Sequence, residues 1–169
     1  MALTPAQKLT LKAAILADSG ANVFYSIGDL DGLASYLNTL PSPTFWAWRT
    51  DVSRSDIYTS QNDLAVSGAQ TGFWNWTTYK NQGVAEQNAW TQMFMGDLAN
   101  FARQNVRDGI GAIFTGSAQA TAQRDHCLAV GRRPVTRFER VFAVGTGSPV
   151  SPAAMAVEGV LSVSDLIGL

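Results

Sequence analysis

A single cysteine, Cys127, and a single histidine, His126, supply all the thiol and imidazole chemistry in this chain of 169 residues. One cysteine excludes a disulfide within the chain, and a reducing compartment fits that usage best. The two residues are neighbours, so a helix would turn their side chains about 100 degrees apart and keep them from gripping one metal together. A serine or cysteine triad would have only His126 as its base, and Asp125 beside it points elsewhere on the same helix. Packed or surface roles are expected for both, and no metal, cofactor or catalytic residue is assigned.

Charge is scarce as well. Charged residues make up 15% of the chain, where soluble domains usually carry about a quarter. Something other than water is therefore expected to cover part of the surface, and the five tryptophans and eight phenylalanines suit contact patches as well as cores. No stretch of roughly 18 apolar residues exists to cross a membrane, and the N-terminus lacks the charged-then-apolar pattern of a signal peptide. The expectation is a protein made soluble and kept inside the cell unless an assembly carries it out. A net charge of -1 argues against a protein built mainly for nucleic acid. No Gly-Lys-Ser or Gly-Lys-Thr phosphate loop occurs, and Gly145-Thr146-Gly147 lacks the third glycine of a dinucleotide loop. Asn75-Trp76-Thr77 matches a glycosylation acceptor without a secretory signal to make it meaningful.

What is present is mostly helical pattern. From Asn88 to Gln104 the residues Trp90, Met93, Phe94, Leu98, Phe101 and Ala102 recur at three- and four-residue steps, which predicts a central helix with one buried side. Thr4-Pro5-Ala6-Gln7 reads as a capping box opening a helix to about Leu16, stopped near Asp18-Ser19-Gly20. A second helix is expected over residues 29–38, with Asp29 and Asp31 stabilised at its start by the helix dipole, and Pro41 and Pro43 ending it. Ser53 caps a turn to Tyr58. Phe73, Trp74 and Trp76 to Tyr79 suit a helix inside the ambiguous stretch from Gln61 to Lys80. Ala118–Val130 and Val135–Ala143 are further helices, and Asn105 opens a short one.

Two stretches depart from this pattern. Thr44 to Val52 alternates like a strand with no cleanly polar side, so it is read as a strand or extended arm in which Trp46 and Trp48 meet a partner. After Gly145 and Gly147 the chain is apolar, with only Glu158 and Asp165 charged, and must dock on a neighbour or on its own domain. Val157 to Val163 is its candidate strand, with Val160, Leu161 and Val163 as contact residues. The fold expected is mainly α: one helical-bundle domain over residues 1–144 with a strand-like arm, then an extended C-terminal docking arm over residues 145–169.

Residues 103–140 hold seven arginines against Asp108, Asp125 and Glu139, an excess of four positive charges. Arg133, Arg137 and Arg140 are spaced to share one side of the last long helix. The simplest reading is a solvated face; the functional one is a basic strip for phosphates or for a partner's acids.

Several of these motifs together resemble a family of small structural proteins of tailed bacteriophages, the head-to-tail connector or adaptor proteins. They are Leu3-Thr4-Pro5-Ala6-Gln7, Trp46-Ala47-Trp48-Arg49-Thr50, Asn105-Val106-Arg107-Asp108-Gly109-Ile110, Thr136-Arg137-Phe138-Glu139-Arg140, Gly145-Thr146-Gly147 and Glu158-Gly159-Val160-Leu161-Ser162. The similarity runs over nearly the whole chain, although each motif is short and structural. It implies a helical protein, made in the host cytoplasm and placed at the virion neck. There it would form a homo-oligomeric ring beneath the portal, touching the portal and adjacent tail or neck proteins, with no catalysis, no membrane and at most weak contact with DNA in the channel. A capsid-decorating or tail protein would share those features, and a regulatory module using the Arg strip on nucleic acid is a further alternative.

Overall fold

The computed structural model describes residues 3–60 and 73–169. In chain order the elements are α1 (Pro5–Ala17), α2 (Ser19–Ser26), α3 (Leu30–Leu37), β1 (Trp46–Trp48), β2 (Val52–Ser53), α4 (Arg54–Thr59), α5 (Trp76–Lys80), α6 (Val84–Met93), β3 (Leu98–Ala99), α7 (Gln104–Ile113), α8 (Ala118–Val130), β4 (Arg132–Pro134), α9 (Arg137–Val141), β5 (Ala143–Val144), β6 (Ala154–Met155) and α10 (Val163–Leu166). The protein is mainly α, with short strands. Part of the Gln61 to Lys80 segment, through residue 72, lies outside the described residues. None of the described helices is long and apolar enough to cross a membrane.

The chain forms two compact units, one built from residues up to Ala47 and from Pro134 onward, the other from Trp48–Arg133. This division differs from the expected boundary at residue 144. Residues 145–169 belong to the first unit because Val157, Leu161 and Leu166 are buried there with Leu11, Ile15, Leu33 and Phe138.

In the first unit, α1 starts as its sequence dictates. The Gln7 N–H donates to Thr4 Oγ1 at 3.3 Å and the Thr4 N–H to Gln7 Oε1 at 2.8 Å, satisfying two donors that the helix leaves orphaned. Asp18 ends α1 but does not end helix. Its Oδ1 accepts the Gly20 and Ala21 N–H groups at 2.9 and 3.1 Å, so the residue expected as a stop launches α2 at once. Asp29 in turn caps α3, its Oδ1 accepting from Gly32 at 2.8 Å. The α2 and α3 helices form a hairpin whose side chains meet at Phe24 and Tyr36, ring centroids 5.9 Å apart.

The C-terminal part of this unit corrects two expectations. Residues 157–163 form no strand: the short strands are β5 and β6, antiparallel with Ala143 opposite Met155, and Gly159 has φ +128°, which breaks a regular ladder. The helix expected over Val135–Ala143 is shortened to α9. Val135 instead donates its N–H to the Phe45 carbonyl at 3.0 Å, and Thr136 becomes the cap, paired with Glu139 in a capping box. Gly147, at φ +66°, gives its carbonyl to the Trp46 N–H at 2.8 Å while a Cβ there would fall 2.2 Å from the Phe45 ring.

The second unit holds the residues expected to form one central helix, and it breaks that helix. α6 ends at Met93, Gly96 follows, and Asp97 adopts φ +64°, a left-handed conformation that a helix cannot contain. The chain then makes β3, antiparallel to β2 with Ala99 opposite Val52, before α7 begins at Gln104. Asn105 is not its cap; the preceding turn is held by Asn100, whose Oδ1 accepts the Ala102 N–H at 2.9 Å. Of the side expected to be buried, Leu98, on β3 rather than on a helix, is 54% exposed and Met93 and Ala102 are half-buried, while Trp90, Phe94 and Phe101 are buried. Around them Trp74 stacks on Trp90 at 5.0 Å between centroids, with Phe114 edge-on to both. α4 and α8 occupy the expected residues, the first with Ser53 and Asp56 as a capping box.

Candidate functional site

The arginines of the expected strip do not share a helix. Arg133 lies on β4, because the chain stays extended until the Thr136 cap, and only Arg137 and Arg140 are on α9. A spacing of three residues places those two on one side of the helix.

Arg137 is held on several sides within the first unit. Its Nη1 lies 3.7 Å from Asp18 Oδ2, its Nε donates to Thr39 Oγ1 at 3.3 Å, and its guanidinium lies 4.5 Å above the Tyr36 ring centroid. The Tyr36 hydroxyl donates to Asp18 Oδ1 at 3.0 Å. Burial pushes the Asp18 carboxyl up, but the Ala21 N–H, the Tyr36 hydroxyl, the Gly20 N–H and Arg137 together hold it below its ordinary value. Burial first, and the bond to Asp18 second, push the Tyr36 phenol up. Arg140 is exposed, with its guanidinium 5.4 Å from the Phe45 ring centroid. Between these groups and α1 runs a cleft of about 380 Å³ with Ala14, Leu37 and Val141 in its wall. It combines guanidinium donors with an apolar floor.

The remaining sequence candidates are placed as follows. On β1, Ala47 is fully buried while Trp46 and Trp48 on the other side are half-buried. In the second unit the Arg107 guanidinium lies 4.7 Å from the Trp48 ring centroid, a geometry in which the ring face attracts the cation. Val160 is 74% exposed, Leu161 is buried and Val163 is half-buried.

His126 and Cys127 lie in the core of the second unit. The His126 Nε2 donates to the Ile57 carbonyl at 2.7 Å, and burial pushes the Cys127 thiol far up, which suppresses the thiolate that nucleophilic chemistry needs. Asp125 is taken by Arg124, whose Nε and Nη2 donate to Oδ1 at 2.9 and 2.7 Å. No group of metal-ligating side chains forms among the described residues. Asn75 begins α5, its Oδ1 accepting from Thr78 at 3.0 Å.

Sequence reasoning missed Asp18, Tyr36 and Thr39 as the setting of Arg137. The signal was an aspartate directly before Ser19-Gly20-Ala21, which reads equally well as a helix start. A scan against protein-family models, a search of curated proteins and a search of solved structures each give no match.

Proposed function

We propose that this protein is a structural component of a tailed-bacteriophage virion, a connector or adaptor ring between the portal and the tail. The observation that carries the proposal is an uncharged outward face on the first helix. On α1 the exposed positions include Ala6, Leu9, Ala13 and Leu16, at steps of three and four residues, with Leu9 70% and Leu16 52% exposed. An amphipathic helix of a free-standing protein keeps charged or polar residues on its solvent side. A helix whose solvent side carries Leu9 and Leu16, with Thr10 the one polar residue among its exposed positions, is suited to burial against a second surface. Motif resemblance over nearly the whole chain supplies the identity of the assembly, and the low charge fraction agrees with a surface that neighbours cover. In this reading residues 145–169 present Val150, Val160 and Ile167, all more than 60% exposed, to the next subunit or to the portal.

Electron microscopy of particles from the source, with the chain located by an epitope tag at its C-terminus, tests the proposal. The expected result is ring density at the portal–tail junction. Label on the capsid surface or along the tail would replace the connector reading with a decoration or tail role, and absence from particles would end it.

A further inference from the structure

The α2–α3 hairpin is electrically polar along its length. At its open end, where α2 begins and α3 finishes, lies the cleft lined by Arg137, Arg140 and Asp18, in which Asp18 pairs with Arg137 and is the single carboxylate against two guanidinium groups. At its closed end lies the turn Ile27-Gly28-Asp29-Leu30-Asp31. There Ile27 is 72% exposed, and Asp29 and Asp31 are both exposed. Asp29 Oδ1 accepts the Gly32 N–H, and Asp31 forms no ion pair among the described residues. With α2 eight residues long, the two ends stand roughly 12 Å apart at 1.5 Å per residue.

We infer that the cleft at the open end is a docking site for the acidic turn of a second copy of this chain, Asp31 pairing with Arg140 and Ile27 lying on the apolar wall formed by Ala14, Leu37 and Val141. Complementarity selects this occupant. The cleft carries one uncompensated positive charge and an apolar floor; the turn carries acids and an exposed aliphatic side chain within five residues. Its volume of about 380 Å³ takes a few side chains and not a whole helix. Because donor and acceptor surfaces sit at opposite ends of one hairpin, the contact is head-to-tail. Contacts of that kind close into rings when the rotation allows and otherwise continue as filaments. Each single contact is small and partly exposed, so it is weak alone and gains from repetition around a closed ring. The inference rests on the connector reading for its biological setting, but the contact is testable without it.

The test is a charge swap on the full chain, read by sedimentation velocity at low ionic strength up to millimolar protein. Wild type should show a sedimentation coefficient that rises with concentration and falls back on adding salt. Arg140→Glu alone and Asp31→Lys alone should each weaken self-association by about five- to tenfold. The two together in one chain should restore it, since every interface then regains an opposite pair. Circular dichroism of the variants checks that they are folded. A parallel mixture of Arg140→Cys and Asp31→Cys chains should oxidise to a crosslinked heterodimer, the native thiol being buried.

A wild-type protein that stays monomeric throughout, single reversals without effect, or a double reversal that fails to restore association would each overturn the inference. So would DNA binding lost in Arg140→Glu without any self-association. A ring in the particle whose assembly ignores the swap removes this contact and leaves the connector reading. A restored swap in a protein absent from particles does the reverse.

Discussion

Asn38 grips Leu161 with both atoms of its amide: Nδ2 donates to the Leu161 carbonyl at 2.8 Å, and Oδ1 accepts the Leu161 N–H at 3.0 Å. The pair ties the end of α3 to the C-terminal segment and orients Leu161 into the core. Asn38→Ala should remove about 1–3 kcal/mol of stability, the range for two hydrogen bonds with partly buried partners. Hydrogen exchange should show faster exchange around residues 155–166 than in α1. Uniform acceleration across the first unit would mean that the clamp is not local.

Gly131 and Phe101 offer a steric test in the second unit. A Cβ at position 131 would come within 2.0 Å of the Phe101 ring, which is fully buried and cannot swing away. Gly131→Ala should therefore lower thermal stability by about 1–3 kcal/mol, as overpacking does. Gly111, within α7, has open space around its missing side chain. There the same change should be neutral or stabilise by about 0.4–1 kcal/mol. Equal melting shifts for the two variants would contradict the packing described.

Three aspartates are held below their ordinary range in the folded chain. The Ser53 N–H, against burial, and then Arg49 hold Asp56 low; the Ser162 hydroxyl holds Asp165 low; the hydrogen bonds to Asp18 outweigh its burial. Each has an ordinary value of 3.8, so below that pH the unfolded chain takes up protons before the folded one does. Their stabilisation is complete above pH 3.8 and is lost as pH falls through the lower folded values. Urea midpoints should fall steeply below about pH 4. Replacing Asp56 with Asn should flatten that slope, and an unchanged slope would show that Asp56 contributes nothing to it.

Cys127 should resist modification. The thiol is fully buried and shifted far from ionisation, so Ellman's reagent should react slowly in buffer and at once in denaturant. Rapid reaction of the folded protein would mean that the second unit opens readily.

How far the sequence could be read depended on whether the deciding interaction was local. Caps involve residues three or four apart, and Thr4, Asp29, Ser53 and Thr136 act as side-chain caps; local spacing marks Thr4 and Ser53 as caps and puts Asp29 at a helix start, while Thr136 escapes it. Periodicity found the buried Phe94 and Phe101 but could not see that Gly96 and Asp97 turn the chain between them. The Arg strip failed for a related reason. Its helical spacing was real for Arg137 and Arg140, while Arg133 is extended because Val135 bonds to Phe45 across ninety positions of sequence. Asp18 was misread because one residue both ends α1 and starts α2, and its pairing with Arg137 depends on contacts no spacing rule encodes.

The second unit is one continuous stretch of chain inserted between two parts of the first, and this fixes an order of birth on the ribosome. Trp48–Arg133 can close its core as soon as it emerges. Helices α1 to α3 appear earlier yet wait for Phe138, Leu161 and Leu166, which complete their packing. At roughly 5–20 residues per second that delay is on the order of ten seconds. During it the nascent α1–α3 segment displays Leu11, Ile15 and Leu33 to water, and a holdase has its best opportunity to bind.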